Sequence, residues 1–298
     1  MGSEMCIRDR YILKKTAREA KKEGYTCLVD PECEFFLFNQ DEDGQPTTIS
    51  TERAGYFDLG PIDLGENARR DMVLTLEDMG YEIEASHHEV APAQHELAPV
   101  FTTSNIAADH NQLTMEIMKK VALKHGLVCL LHEKPFAGVN GSGKHNNWSI
   151  SSNDGQNLLD PGDTPMENMQ FLTFLCAIIK GVDEYAPLLR ISAASAGNDH
   201  RLGANEAPPA IISMFVGDEL QAILDAIENG TSVAENSDKT FEIGVDALPN
   251  FPKDATDRNR TSPFAFTGNK FEFRMLGSAD SISCTNVMMN TIVAQVLS

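Results

Sequence analysis

The sequence is short of several things. Only six of its 298 residues are cysteine, and no two form a C-x-x-C pair. That excludes a disulfide scaffold and offers neither a structural zinc site nor a dithiol redox pair. Long apolar runs are missing as well: the longest, Phe171 to Ile179, stops at Lys180, far short of a membrane span. The opening residues, MGSEMCIRDR, lack the apolar stretch of a secretory signal. Positive charge is scarce, with 24 Lys and Arg against 44 Asp and Glu, a formal net charge of −20. A nucleic-acid binder normally carries a basic face, so no nucleic-acid partner is expected, and no membrane partner either. A hydrophobic share of 42% with 23% charged residues is the balance of a folded globular chain. The expectation is a cytoplasmic protein whose carboxylates are solvated or hold metal.

Residues 10–23 have apolar positions at helical spacing, and Gly24 stops them. Thr26 to Phe38 reads as a strand interrupted by Pro31, which predicts an edge position or a bulge. Asp63 is the expected cap of a helix reaching about Met79, with Gly80 as its stop. Residues 81–101 read as two strands joined by a bend at Ala91–Pro92, and 104–125 as a long helix ended by Gly126. There follow an apolar strand at 127–133, a glycine turn entering a strand at 139–152 and a helix at 165–185. A polar loop at 195–209 leads to an apolar segment, then a helix at 218–228, a hairpin turning at 267–269 and a terminal helix. Long helices mixed with antiparallel strand pairs point to an α+β fold. The first ten residues are unlike the rest and read as a non-native scar.

Side chains two apart on a strand share a face. By that rule Glu32 and Glu34 lie together, as do His145, Asn147 and Ser149, and Glu272 and Arg274, while Glu89 and Glu96 flank the proline bend. Any one pair is as well explained by a face turned to water. Repetition on four segments weakens that explanation, because ECEFFLF and KFEFRML are aromatic, half-buried surroundings. Two carboxylates at 4 Å repel by roughly 4 kcal/mol at an effective dielectric near 20, so five in one cavity need cations. Carboxylates with one imidazole and no thiolate suit Mg²⁺ or Mn²⁺, and so many acids suit two ions. The turn NGSGK lets backbone approach a ligand, but it lacks the spacing of a phosphate loop. Arg201, Arg258, Arg260 and Arg274 are the arginines available to bind a carboxylate or a phosphoryl group.

PECEFFLF, EASHHEVAPAQHE, NGSGKHNNWS, RLGANEAPP, DRNR and KFEFR, in this order, resemble glutamine synthetase, and the wording is closest to the large bacterial type III form. The resemblance runs from about Tyr11 to Ser298. It implies a curved antiparallel sheet forming an open barrel flanked by helices, incomplete at both ends, without the family's small N-terminal domain or its C-terminal region. It implies ligation of ammonia to L-glutamate with ATP through a γ-glutamyl phosphate, two Mg²⁺ or Mn²⁺ ions, and a homo-oligomer, a dodecamer in the full-length protein. By resemblance, Glu34, Glu89 and Glu96 hold the first ion and Glu32, His145 and Glu272 the second. Glu84, Asn147 and Ser149 meet nucleotide, and Arg260 the phosphate. Asn140, Gly141, Arg201, Glu206 and Arg274 hold glutamate, Glu206 being the flap acid that accepts an ammonium proton. Glu206, Arg260 and Arg274 are thus the expected catalytic residues. Two departures stand out: Glu89 and Glu96 are one residue closer than in type I enzymes, and Ala265 stands where those have an arginine. A γ-glutamyl-polyamine ligase and a non-catalytic regulatory descendant are the competing readings.

Overall fold

The computed structural model describes residues 2–48, 54–232, 240–241, 251–252 and 261–298. In chain order its elements are α1 (Gly2–Lys22), β1 (Tyr25–Asn39), α2 (Glu66–Asp78), β2 (Ile83–His88), β3 (Gln94–Pro99), β4 (Thr102–Thr103), α3 (Ser104–Lys124), β5 (Leu127–Leu130) and β6 (Gly143–Ser152). After them come α4 (Met169–Glu184), α5 (Ala186–Ser192), α6 (Ala196–Arg201), β7 (Met214–Phe215), α7 (Asp218–Asn229), β8 (Thr240–Phe241), β9 (Phe251–Pro252), β10 (Phe264–Phe266), β11 (Phe271–Gly277) and α8 (Ile282–Leu297). Helices and antiparallel strands are mixed as the α+β expectation has it.

Nine strands form one open sheet in the order β2-β3-β1-β6-β11-β10-β7, with β4 and β5 also on β1. All its pairs are antiparallel except β10 with β7. β1 is central, which corrects the edge position expected from Pro31. On one side Pro31 sits opposite Asn146 of β6. On the other, β4 stops pairing at Val29 and β3 starts at Cys33. A residue with no N–H to give is tolerated where one neighbour is absent.

The strand period divides the sheet into two faces. Cys33, Phe35 and Leu37 point back and pack with Met72 and Leu76 of α2 and Met118 and Val121 of α3. Trp148, Phe271, Phe273 and Met275 join Leu175 and Ile178 of α4 and Met289 and Ile292 of α8. Burying each such side chain contributes about 1.5–3 kcal/mol, so this helix-covered face anchors the strands. Trp148 also donates its Nε1–H to Asn290 Oδ1 at 2.8 Å, satisfying a polar atom inside that layer. The opposite face carries the acids, beside a smaller apolar cluster of Phe36, Phe38, Ala91 and Ala93.

Other boundaries differ from expectation. α2 starts at Glu66, not at Asp63; Asp63 accepts the Gly65 N–H and pairs with Arg69, bracing the first turn from outside. Gly80 is left-handed at φ 87° and ends α2 as expected. The segment read as a polar loop contains α6, capped by Ser195, whose side chain accepts the Asn198 N–H. The strand expected over 127–133 ends at Leu130. Cys27, Cys33, Cys129, Cys176 and Cys284 are free thiols. Among the described residues no helix is long and apolar enough to cross a membrane.

Candidate active site

The register of the sheet brings the predicted acids into rows. Glu34 lies opposite Glu96, Glu96 opposite His87, and Glu32 opposite His145. Asn147 faces Asp30 of β1 on one side and Glu272 of β11 on the other. These side chains project from the face opposite the one covered by α2, α3, α4 and α8, yet Glu34, Glu89, Glu96, His145, Asn147 and Arg274 are all buried.

On the β6 side, His145 Nδ1 is 3.0 Å from Glu32 Oε2 and 2.9 Å from Glu272 Oε1. Asn147 donates to Glu32 Oε1 at 2.7 Å, and Arg274 Nη2 donates to Glu272 Oε2 at 2.8 Å. Burial alone would raise both acids. The hydrogen bond and charge of His145 overcome it, holding Glu32 below the usual carboxylate range. At Glu272 the charge and bond of His145 and then those of Arg274 do the same.

On the β3 side the balance reverses. Burial, then the charges of Glu34 and Glu96, push Glu89 up to about 7. Burial also raises Glu96, where a hydrogen bond from His87 only partly opposes the charges of Glu34 and Glu32. His87 Nε2 lies 2.9 Å from Glu96 Oε2 and its Nδ1 3.7 Å from Glu89 Oε1. Ligand atoms of His87, Glu89 and Glu96 fall within 4.8 Å of one another, and so do those of Glu32, Glu96 and His145. Glu96 belongs to both groups. His87 was not among the expected ligands, although strand alternation with Glu89 was a readable signal for it.

A third group within the same distance, Asp63, His88 and His95, lies on the other side of β2 and β3. There Arg69 Nη1 already sits 2.6 Å from Asp63 and 2.8 Å from His95 Nδ1. A guanidinium supplies the positive charge in that cluster, so it reads as a brace between α2 and β3.

The remaining expected residues surround the acidic face. Glu34 Oε2 accepts the Gly143 N–H at 2.7 Å, joining the acids to the glycine turn. A Cβ on Gly141 would lie 2.1 Å from the Glu133 carbonyl, so that position requires glycine, and one on Gly143 would lie 2.1 Å from Arg201 Nη2 and displace the guanidinium. Arg201 is buried beneath this turn and donates to the carbonyls of Leu276 and Arg274. Lys144, also buried, donates to the carbonyls of Ser278 and Asp280. Asn140 donates to Glu206 Oε2 at 2.7 Å, which brings the exposed Glu206 to the turn. Ser149 is half-buried one step beyond Asn147, and Glu84 is exposed on β2, where its charge adds to that of Glu32 in raising Asp30. Asp30 itself is pushed to about 7, first by burial. Arg258 and Arg260 lie outside the described residues.

Comparison with known proteins identifies the family of the chain. Residues 7–213 match the family described as glutamine synthetase, catalytic domain. A type-3 glutamine synthetase of Dictyostelium discoideum is 59% identical over 198 residues, covering 66% of this chain and 27% of that one. The chain thus spans about a quarter of the length of such long relatives. Among solved structures, a ligand-free GmaS superposes with a TM-score of 0.71 at 19% identity, covering 97% of this chain and 58% of that one. A Plasmodium falciparum glutamine synthetase gives 0.67, also at 19%, covering 97% and 55%. At such identity the structural likeness speaks for the fold.

Proposed function

The chain belongs to the glutamine synthetase family, close to its type III form, and from that premise we propose that it joins ammonia to L-glutamate with ATP, through a γ-glutamyl phosphate. The observation that carries the proposal is the meeting of two carboxylate–imidazole groups on one buried face, beside a glycine turn and an acid bonded to that turn.

The donors fit two divalent cations. They are carboxylate oxygens and imidazole without thiolate, and the raised Glu89 and Glu96 are in the repelled state that a cation relieves. Glu34, Glu89 and Glu96 would hold one Mg²⁺ or Mn²⁺, with His87 beside them, and Glu32, His145 and Glu272 the other. Bound there, the ions would neutralise charge on the transferring phosphoryl group.

The chain's own residues do the rest. A γ-carboxylate is a poor electrophile, so phosphorylation precedes attack by ammonia. Arg274 is set to grip a substrate carboxylate or the developing phosphoryl charge, and Arg260 is assigned to phosphate. Glu84, Asn147 and Ser149 are assigned to nucleotide, Asn140 and Gly141 to glutamate, and Arg201 to glutamate through the turn that it supports. Glu206 takes a proton from ammonium and helps keep water from the acyl phosphate. A homo-oligomer in the cytoplasm completes the proposal.

The test measures phosphate and glutamine in one tube, with ATP, Mg²⁺ and glutamate, plus and minus ammonium. Glutamate-dependent phosphate release with ammonium-dependent glutamine supports the reading. No glutamate-dependent phosphate overturns it, and preference for a polyamine over ammonia would replace it with γ-glutamyl-amine ligation.

A further inference from the structure

Between β2 and β3 the chain reverses in a tight bend that carries Glu89 at one end and Glu96 just past the other. Ala93 in this bend is left-handed at φ 63°, a conformation that a residue with a Cβ adopts only when its surroundings hold it. Three backbone bonds do so: Gln94 N–H to Ala91 O at 3.0 Å, Glu89 N–H to Gln94 O at 2.7 Å, and Leu37 N–H to Ala93 O at 2.9 Å. Gln94, like Ala93 beside it, is 1% exposed.

Its side chain reaches across to a different segment. Oε1 accepts the Ala91 N–H at 3.1 Å, while Nε2 donates to the Gly141 carbonyl at 2.9 Å and to Ser142 Oγ at 3.2 Å. Ala91 N–H can only donate and the Gly141 carbonyl can only accept, so the amide has one satisfied orientation. Aspartate or glutamate would present oxygen to a carbonyl, and an apolar side chain would leave buried groups unbonded. The glycine turn is tied to the acids once more where Glu34 accepts the Gly143 N–H. From the turn the chain of contacts continues through Asn140 to Glu206.

We propose that Gln94 is a positioning residue that couples the first ion's carboxylates to the glutamate-binding turn, so that ion occupancy and affinity for L-glutamate rise together. The inference rests on the two-ion reading given above. A cation that fixes Glu89 and Glu96 fixes the bend between them, and the amide passes that order to the carbonyl of Gly141 and on to the flap acid. Coupling between sites is commonly about 5–150-fold.

The experiment is calorimetric titration of the whole chain with L-glutamate, in EDTA and in saturating Mn²⁺, alongside titration with Mn²⁺ alone. The wild-type chain should bind L-glutamate about tenfold more tightly with Mn²⁺. In Gln94→Leu that ratio should fall below about twofold, while Mn²⁺ affinity without glutamate stays within about threefold. Gln94→Glu, which keeps the size and the bond to Ala91, should lose the ratio likewise and serves if the leucine variant does not fold. Ser142→Ala, losing only the longer contact, should keep most of the ratio. A merely structural glutamine would lower melting temperature without removing the dependence on Mn²⁺. A folded Gln94 variant with the wild-type ratio overturns this inference alone, as does a wild-type chain that binds Mn²⁺ without any ratio. A wild-type chain that binds no Mn²⁺ overturns the two-ion reading and this inference with it.

Discussion

Glu89 and Glu272 stand on the same acidic face, both shielded from water, yet their carboxyls shift in opposite directions. Glu272 has His145 on one oxygen and Arg274 on the other. Glu89 has Glu34 and Glu96 as its principal charged neighbours, with His87 3.7 Å away. The β6–β11 half of the site is therefore neutralised from within the protein, and the β2–β3 half is left short of positive charge. The difference teaches which half of the face supplies its own positive charge and which would gain stability from a bound cation.

The largest effect should come from breaking the neutralised half. Glu272→Gln removes the charge that balances Arg274 and His145, leaving a buried cation without its partner. Loss of one member of a buried pair costs about 3–5 kcal/mol, and urea unfolding of the metal-free variant should show a loss of that size. Glu89→Gln should do the reverse, since it deletes a repelled charge. Its metal-free melting temperature at neutral pH should exceed wild type, even though the proposed first ion would lose a ligand.

The next effect follows from pH. Glu89 titrates at about 7 when folded, against 4.5 ordinarily. Between these values the folded carboxyl keeps a proton that the unfolded one has lost. Folding then takes up a proton, so stability falls as pH rises from 4.5 to 7. A shift of this size corresponds to an effect on the order of 3 kcal/mol. Glu272 works the other way: its contribution is present above about 4.5 and is lost as pH falls through its lower folded value. Melts in EDTA across pH 4.5–7.5 should therefore show a decline toward neutrality that Glu89→Gln flattens. An equal slope in both proteins would remove the contrast between the two halves.

Cation addition should sharpen it further. At a hundred times its dissociation constant, Mn²⁺ should stabilise the wild-type chain by about 2.7 kcal/mol by mass action. Glu89→Ala should lose much of that gain. A melting temperature indifferent to millimolar Mg²⁺ and Mn²⁺ would break the two-ion reading. The smallest effect on stability is expected outside both halves, at the exposed Glu206. Glu206→Gln should leave the unfolding free energy within about 0.5 kcal/mol of wild type, as surface changes usually do, yet lower glutamine formed per phosphate released.

Much of this site was legible before any fold was known. Glu32 with Glu34, His145 with Asn147, and Glu272 with Arg274 follow from the two-residue period of a strand, and the structure keeps each pair on one face. Other features were not legible because they depend on what lies across the sheet. Pro31 points to an edge or a bulge, and a local gap between β4 and β3 accommodates it in the middle of the sheet. Asp63 looked like a cap, and it turned out to be the partner of Arg69. Arg201 carried a charge suited to glutamate, yet its guanidinium is engaged with backbone carbonyls beneath Gly143.

By itself, the sequence determined the residue types of the site, the side of each strand they occupy, and the ordered motifs by which the family is known. These are local properties, set by side-chain chemistry and by the alternation of the extended backbone. Which acids become neighbours was decided only by the tertiary structure. The pairing of Glu34 with Glu96, of Glu32 with His145, and of Asn147 with Glu272 joins segments far apart in the chain. A slip of one residue in any of those registers would turn the carboxylates into the apolar layer, and no periodicity within one strand records which register its neighbour takes.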